Sequence, residues 1–445
     1  MLNGTLSEYY NSTVTTIPSY AFLGCRGLTS VDFPACTTIE NGRTRSYSTY
    51  SNGYIWGNDL FGAFAQCNVM SVSFPACSYI GSAAFGGCSV LSSVNFPVCS
   101  EIGEYAFGDC WTLVSVSIPA CTSIGKGAFY YCSSLAEVSF PACTHIGSLA
   151  FGGCFSLRAV SSPACTTIGD HAFSNCSALT SVSFPSCTSF GDFTFSSCSA
   201  LRSVNFPIAK SIGASAFAYC SALASVNIPA CTSIDHDAFS NCTALRSVSF
   251  PMCTFIGSYA FYGCSSLTSV SFPMCTFIGS YAFKACNDLI SVNFPVCTSI
   301  SSAAFDRCSA LTSVSFPACT SIGRYAFANC TALRSVSLPF CTSVGNSAFY
   351  GCSALRSVYI PDCTRIDQYA FASCFALSRI YLLNSSVCVL SGSNAFTLTP
   401  YAGNKTIYSG TPFIYVPSSL VASYKSASNW SYFSKYISSY KGIML

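Results

Sequence analysis

The sequence predicts a repeat solenoid of short stacked coils, with a parallel β-sheet on one face and short helical turns on the other. Three observations predict it. A phenylalanine recurs every 22 residues from Phe85 through Phe107, Phe129 and onward to Phe371, with Phe64 and Phe22 opening the series, so that sixteen copies are present. A cysteine stands every eleven residues over most of the same stretch, as in "CTSIGRYAFANC" (319–330). An alternating apolar pair, V-x-F in most copies, is followed at once by proline. Self-similarity at a period of this size is the signature of an array in which each coil buries its apolar side against its neighbours.

One copy, Leu311 to Ala332, reads "LTSVSFPACTSIGRYAFANCTA". Its first half is L-x-x-V-x-F-x-x-C-x-x-I, the leucine-rich-repeat pattern. Val314 and Phe316 are two apart, so both point inward from a short strand. Pro317 cannot donate to a ladder and ends that strand. Gly323 is expected to permit a tight bend. "RYAFANC" is too short for a free helix and is expected to form a helical turn or two on the far side.

The two cysteines of each copy are in phase with the apolar skeleton. A buried free thiol behaves as a small hydrophobe with a weak donor. At Cys319 it can satisfy a turn carbonyl left over by the strand end. Thirty-one cysteines also suit a disulfide scaffold, but such scaffolds belong to short chains without a core. Structural thiols are the favoured reading, and Ala209, at one cysteine position, supports packing.

The chain has 445 residues, 51% of them apolar and only 8% charged, against about 25% charged in an ordinary domain. The net charge of +3 argues against nucleic-acid binding, which rests on many cationic contacts to phosphate. No uninterrupted apolar stretch of ~18 residues appears, so no membrane insertion is expected. The N-terminus, "MLNGTLSEYYNSTV", lacks a basic start and apolar run, and is not read as a signal peptide. Export within a larger assembly, removal of a leader, or action at the place of synthesis all remain open.

The repeated phrase "SIGxxAFxxCxxLxSVxFP" resembles the BspA-like, or Treponema pallidum type, leucine-rich repeat over residues ~13–382. The phrase at 413–436, "FIYVPSSLVASYKSASNWSYFSKY", is similar to the segment that often closes such arrays in gut bacteria and their phages. The resemblance implies a surface-exposed or secreted protein that binds and is not an enzyme, with carriage on a virion as the alternative location. The 22-residue period departs from the 23 common in the family, as does the second cysteine row.

The chain divides into residues 1–39 (a first strand and coil), 40–60 (an insertion), 61–382 (the regular array) and 383–445 (a worn copy and a cap). Ser418 or Ser419 is expected to start a helix over about 420–440, covering the open end of the array.

Candidate ligand-binding residues come from two places. Arg158, Arg202, Arg246, Arg334 and Arg356 share one repeat position, just after the repeat Leu, and stacking would align them in one row. Arginine suits carboxylate and sulfate groups; scattered charge for solubility is the competing reading. The insertion "ENGRTRSYSTYSNGYIWGNDL" offers Arg43, Arg45, Tyr47, Tyr50, Tyr54 and Trp56, and irregular loops on rigid arrays tend to carry function. Tyrosines also gather near the "AF" turn, with Tyr259, Tyr262 and Tyr281 in adjacent coils; half-buried packing is the plainer account of them. His145 with His171, and the run Asp235-His236-Asp237, are weak metal signals. No catalytic motif, metal site or cofactor is expected. Two functions remain: a module binding a host or neighbouring-cell protein or glycan, and a spacer or fibre component whose length is its function.

Overall fold

In the computed structural model residues 7–46, 58–397 and 414–441 are described, and the chain forms two compact units, Met1–Ile228 and Pro229–Leu445. In each, parallel coils stack as the period requires.

The coil from Leu311 shows how. Ser313–Ser315 is a three-residue strand with its serines exposed, and Phe316 is fully buried behind it. Pro317 ends the strand, and Cys319 donates its amide back to Phe316. A second strand follows at once, Ser321–Ile322, paired in parallel with Ser299–Ile300 and Ser343–Val344. This second ladder does not announce itself in the sequence. In the first unit it runs unbroken from Thr16–Ile17 to Ser189–Phe190, and Thr38–Ile39 pairs directly with Tyr79–Ile80, so the insertion is looped out without breaking it.

The far side is built from turns that never run on into a helix. The amides of Tyr325, Phe327 and Asn329 donate to Asn346, Ala348 and Tyr350 of the next coil at 3.0, 2.7 and 2.6 Å. The intervening amides of Ala326, Ala328 and Cys330 close single turns on Gly323, Tyr325 and Phe327. Alternate donors are thus spent between coils, which an α-helix cannot allow. The geometry needs left-handed backbone at Tyr325 (φ 56°) and Asn329 (φ 59°), a cost of roughly 1 kcal/mol each that the inter-coil bonds offset. Gly323 has no such φ. Its role is close approach: a Cβ there would sit 2.8 Å from the backbone of Ser301 and Ser302 in the preceding coil.

Phenylalanines form two stacked columns. Phe305 and Phe327 lie 5.2 Å apart, Phe294 and Phe316 5.4 Å apart, and the columns meet edge to face at Phe305–Phe316. Most coils also bury two thiols. Cys319 Sγ donates to Ser321 O within its own turn, whereas Cys330 Sγ donates to Phe305 O of the preceding coil, each at 3.2 Å. One thiol row seals turns and the other ties coils together. Ala209 keeps the packing and forgoes the bond.

The insertion forms an antiparallel hairpin, Arg43–Ser46 with Asn58–Phe61. Towards the C-terminus the expected long helix is short: 3-10 turns at Ser418–Leu420 and Trp430–Tyr436 flank an α-helix of only Val421–Ser426. Neither Ser418 nor Ser419 caps it, the residue before the helix being Leu420 with no side-chain bond. The segment covers the last coil through Trp430 Nε1, which donates to Cys388 O at 2.6 Å, and Asn429, which donates to Leu390 O at 2.7 Å.

Candidate functional site

In the second unit the outward serines of the first strand row give way to larger groups at the C-terminal coils. Ser249, Ser271, Ser315 and Ser337 occupy one outward position; the next three strands, in register, carry Tyr359, Tyr381 and Tyr415 there. The Tyr359 ring is tilted at 52° to Tyr381 at 6.1 Å, and Tyr381, itself only 8% exposed, stacks on Tyr415 at 5.2 Å. Beside them the arginine row closes up. Arg356 donates its amide to Arg334 O at 2.8 Å, and Arg379 to Arg356 O at 3.1 Å, so three exposed arginines stand on consecutive coils. Among the described residues no carboxylate pairs with any of the three; the ion pairs are His236–Asp235, Lys284–Asp306 and Arg365–Asp367.

The single row of five arginines is therefore not one site. Arg158 and Arg202 lie in the first unit with Thr180 between them. Arg246 is in the second unit, but Thr268, Ile290 and Thr312 separate it from Arg334 along the hydrogen-bonded row. The spacing of 44 residues from Arg158 to Arg202 and of 88 from Arg246 to Arg334 forbids contact at one coil per 22. Arg379, outside the row that the repeat position defines, stands with Arg334 and Arg356 because it sits one place further on, within the strand itself.

Of the insertion, Arg43 is exposed on the hairpin and the backbone of Arg45 pairs with Asp59. Tyr47, Tyr50, Tyr54 and Trp56 lie outside the described residues. What the hairpin demonstrably does is pack: Leu60 is buried against Ala83, Tyr105, Tyr130 and Leu149. The histidines part company. His145 Nδ1 is 2.8 Å from Thr167 Oγ1, and His171 stacks on Phe193 at 4.6 Å. Among the described residues no three His, Cys, Asp or Glu side chains converge as a metal site would require.

Among the described residues two of the surface hollows stand out. One, of about 590 Å³, opens on the strand side of the first unit among Val116, Ile118, Glu137 and Ser183, where the strands Ser115–Ser117 and Glu137–Ser139 lie side by side without pairing. The other, of about 520 Å³, is on the turn side of the second unit among Tyr325, Ser347, Tyr350 and Tyr369. The tyrosines expected to cluster do so: Tyr259 and Tyr281 stack at 4.7 Å, with Tyr262 edge-on to Tyr259 at 5.8 Å.

Burial keeps most of the thiols protonated. All the described cysteines are free, and all but Cys25 are buried. Burial pushes Cys319 up to about 12 and Cys253 to about 11, so the nucleophilic thiolate is disfavoured at neutral pH.

A coil of 22 residues with two short strands, repeated with this skeleton, matches a known family model. The BspA-type leucine-rich-repeat region fits in six copies over residues 6–50, 61–180, 144–264, 210–318, 254–378 and 298–409, the last five overlapping in turn. The chain belongs to the BspA-type leucine-rich-repeat family. A leucine-rich-repeat protein from Bacteroides ovatus ATCC 8483 is 29% identical, with 76% of this chain and 93% of that one covered and a TM-score of 0.63. A leucine-rich cell-surface protein from Faecalibacterium prausnitzii A2-165 is 27% identical over 68% of this chain and 87% of that one, at a TM-score of 0.40. The T. pallidum leucine-rich-repeat protein is 24% identical over 44% of this chain and 82% of that one, at 0.31. No curated protein matches the chain. BspA-type arrays are repeat scaffolds, generally protein-binding, typically non-enzymatic and typically at the cell surface. No helix among the described residues is long and apolar enough to cross a membrane.

Proposed function

We propose that this chain is a surface-associated binding module, and that it recognises an acidic segment of a partner protein on the strand side of its C-terminal coils. The observation that carries the reading is the trio Arg334, Arg356 and Arg379, on consecutive coils and without carboxylate partners, beside the Tyr359–Tyr381–Tyr415 column. Arginines on strands about 5 Å apart, two at one repeat position and Arg379 one place further on, can meet carboxylates spaced along an extended peptide. Arginine and tyrosine are also the side chains that most often dominate binding energy at protein interfaces. The serine faces of the other coils favour the spacer role for the remainder of the array: Ser247, Ser249, Ser269 and Ser271 are exposed and offer neither charge nor apolar area.

The test is binding of the full chain to immobilised extracellular-matrix proteins and to a peptide alternating Glu with Leu, repeated with Arg334, Arg356 and Arg379 all changed to Ser. Saturable binding that weakens with salt and falls at least tenfold in the triple variant is expected. Binding of heparin but of no protein would make a sulfated glycan the partner. No binding by the wild type would leave the spacer reading.

A further inference from the structure

On the turn side of the second unit, the residues just before each apolar turn pair form a row: Tyr259, Tyr281, Ala303, Tyr325, Ser347, Tyr369. Where tyrosines fall on adjacent coils they fill the row themselves, Tyr259 and Tyr281 lying parallel (8°) at 4.7 Å. Tyr325 and Tyr369 are two coils apart with only Ser347 between them. Two coil spacings leave a gap of about 10 Å between ring positions, and this gap is the hollow of about 520 Å³ that Tyr350 also lines. Tyr325 and Tyr369 remain 36% and 42% exposed, and among the described residues neither makes a ring–ring contact.

We infer that this slot binds an uncharged sugar ring, held between Tyr325 and Tyr369 above Ser347. The width admits one ring stacked on a tyrosine at each side at the spacing the molecule itself shows for Tyr259 and Tyr281. A tyrosine face is the negative pole of its quadrupole. The C–H bonds of a pyranose, made electropositive by neighbouring oxygens, meet it favourably. The polar lining within reach of a ligand comes from Asn394 and Thr397, which can exchange hydrogen bonds with sugar hydroxyls; Ser347 and Ser373 are the buried floor. Among the described residues none that lines the hollow is charged, so a charged ligand would be desolvated without a partner from them. The Arg324 guanidinium is already engaged, 4.8 Å from the Tyr325 ring and donating to its hydroxyl at 3.4 Å; it braces the ring as one wall.

Ser347 is the buried residue beneath Tyr325. Ten repeats earlier the same position is Gly127, and there Tyr105 leans across so far that a Cβ at 127 would lie 2.3 Å from its ring. The serine Cβ denies Tyr325 that pose. Ser347 has a left-handed backbone, φ 55°, which glycine adopts more readily, so Ser347→Gly removes the prop without strain.

The experiment is saturation-transfer NMR on the full chain with maltotriose, cellotriose, N-acetyllactosamine and mannotriose as probes, and N-acetyltryptophanamide as a flat aromatic control. Transfer to the ring protons of at least one sugar is expected. It should fall at least tenfold in Tyr369→Ala and in Ser347→Gly, survive in Tyr369→Phe, and be unchanged in Tyr259→Ala. Absence of transfer to every sugar, transfer that survives both Tyr369→Ala and Ser347→Gly, or preference for the tryptophan amide over all the sugars would each overturn the inference. The arginine trio is not involved, so this outcome is independent of the acidic-partner reading.

Discussion

Tyr105 in the first unit and Tyr325 in the second occupy the same place in the repeat, ten copies apart, with Tyr130 and Tyr350 equally matched. Tyr105 is 3% exposed and Tyr325 36%. In the first unit Tyr105 folds over Gly127, meets Tyr130 edge to face at 6.1 Å, and is closed over by Leu60 from the hairpin. In the second, Ser347 replaces that glycine, no counterpart of Leu60 among the described residues lies over the ring, and Tyr325 is exposed beside a hollow. The residue beneath the ring and the lid above it together separate core from surface. The insertion, expected to recognise a partner, supplies in its described part the lid of the closed cluster.

Alkali should act on both regions alike and gives the largest effect. Burial raises Cys67 in the first unit and Cys319 in the second to about 12. A thiol whose folded pKa lies above its unfolded value of ~8.5 contributes stability fully present below that pH, lost as pH rises toward the folded value. Each costs about 1.4 kcal/mol per pH unit in that window, and the rows contain many. Cooperative loss of ellipticity is expected between about pH 9 and 10; a chain still folded at pH 11 would mean that the thiols ionise in place.

Gly127→Ser separates the regions. It forces a Cβ into the Tyr105 ring at a position with φ 60°, and overpacking with backbone strain should cost about 3 kcal/mol. Hydrogen exchange should quicken at the amides of Tyr105 and Tyr130 and leave the turn at Tyr325 unchanged. Unaltered protection at Tyr105 would show that the glycine does not hold the cluster shut. Leu60→Ala should cost less, about 2 kcal/mol, and speed exchange in the Asn58–Phe61 strand while the underlying coils keep their protection.

How legible this was depends on what enforces each feature. The period, the inward phenylalanines and the structural thiols were plain, because burial repeats them in every coil. The second strand row was not, since two residues, Ser321 and Ile322, are too few to show an alternation. Ala326 and Phe327 look like part of a helical stripe, yet the inter-coil bonds that make them turns leave no mark on a single copy. Gly323 was recognisable as special, but its reason, the backbone of Ser301 and Ser302, belongs to another coil. Arg334 and Arg356 were foreseen as part of a longer row; Arg379 was hidden by one residue of register. Tyr325, Tyr350 and Tyr369 were visible near the turn, whereas the slot between them depends on which way a ring leans.

The smallest prediction is the sharpest, because one substitution should have opposite signs in the two regions. The Tyr105 hydroxyl is buried with no hydrogen-bond partner, and burial raises it to about 12. Tyr105→Phe removes an unsatisfied polar group and should stabilise the first unit by about 1 kcal/mol. The Tyr325 hydroxyl accepts from Arg324, and its pKa is lowered by that bond first and by Ser347 second. Tyr325→Phe should therefore destabilise, though by no more than about 0.5 kcal/mol at so exposed a site. Absorbance at 295 nm gives a second readout: Tyr325→Phe should delete intensity from the early part of the alkaline titration, and Tyr105→Phe from the part that appears only as the chain unfolds. Stabilisation by both variants, or by neither, would mean that the two tyrosines share one environment and that the glycine and the serine beneath them do not set it.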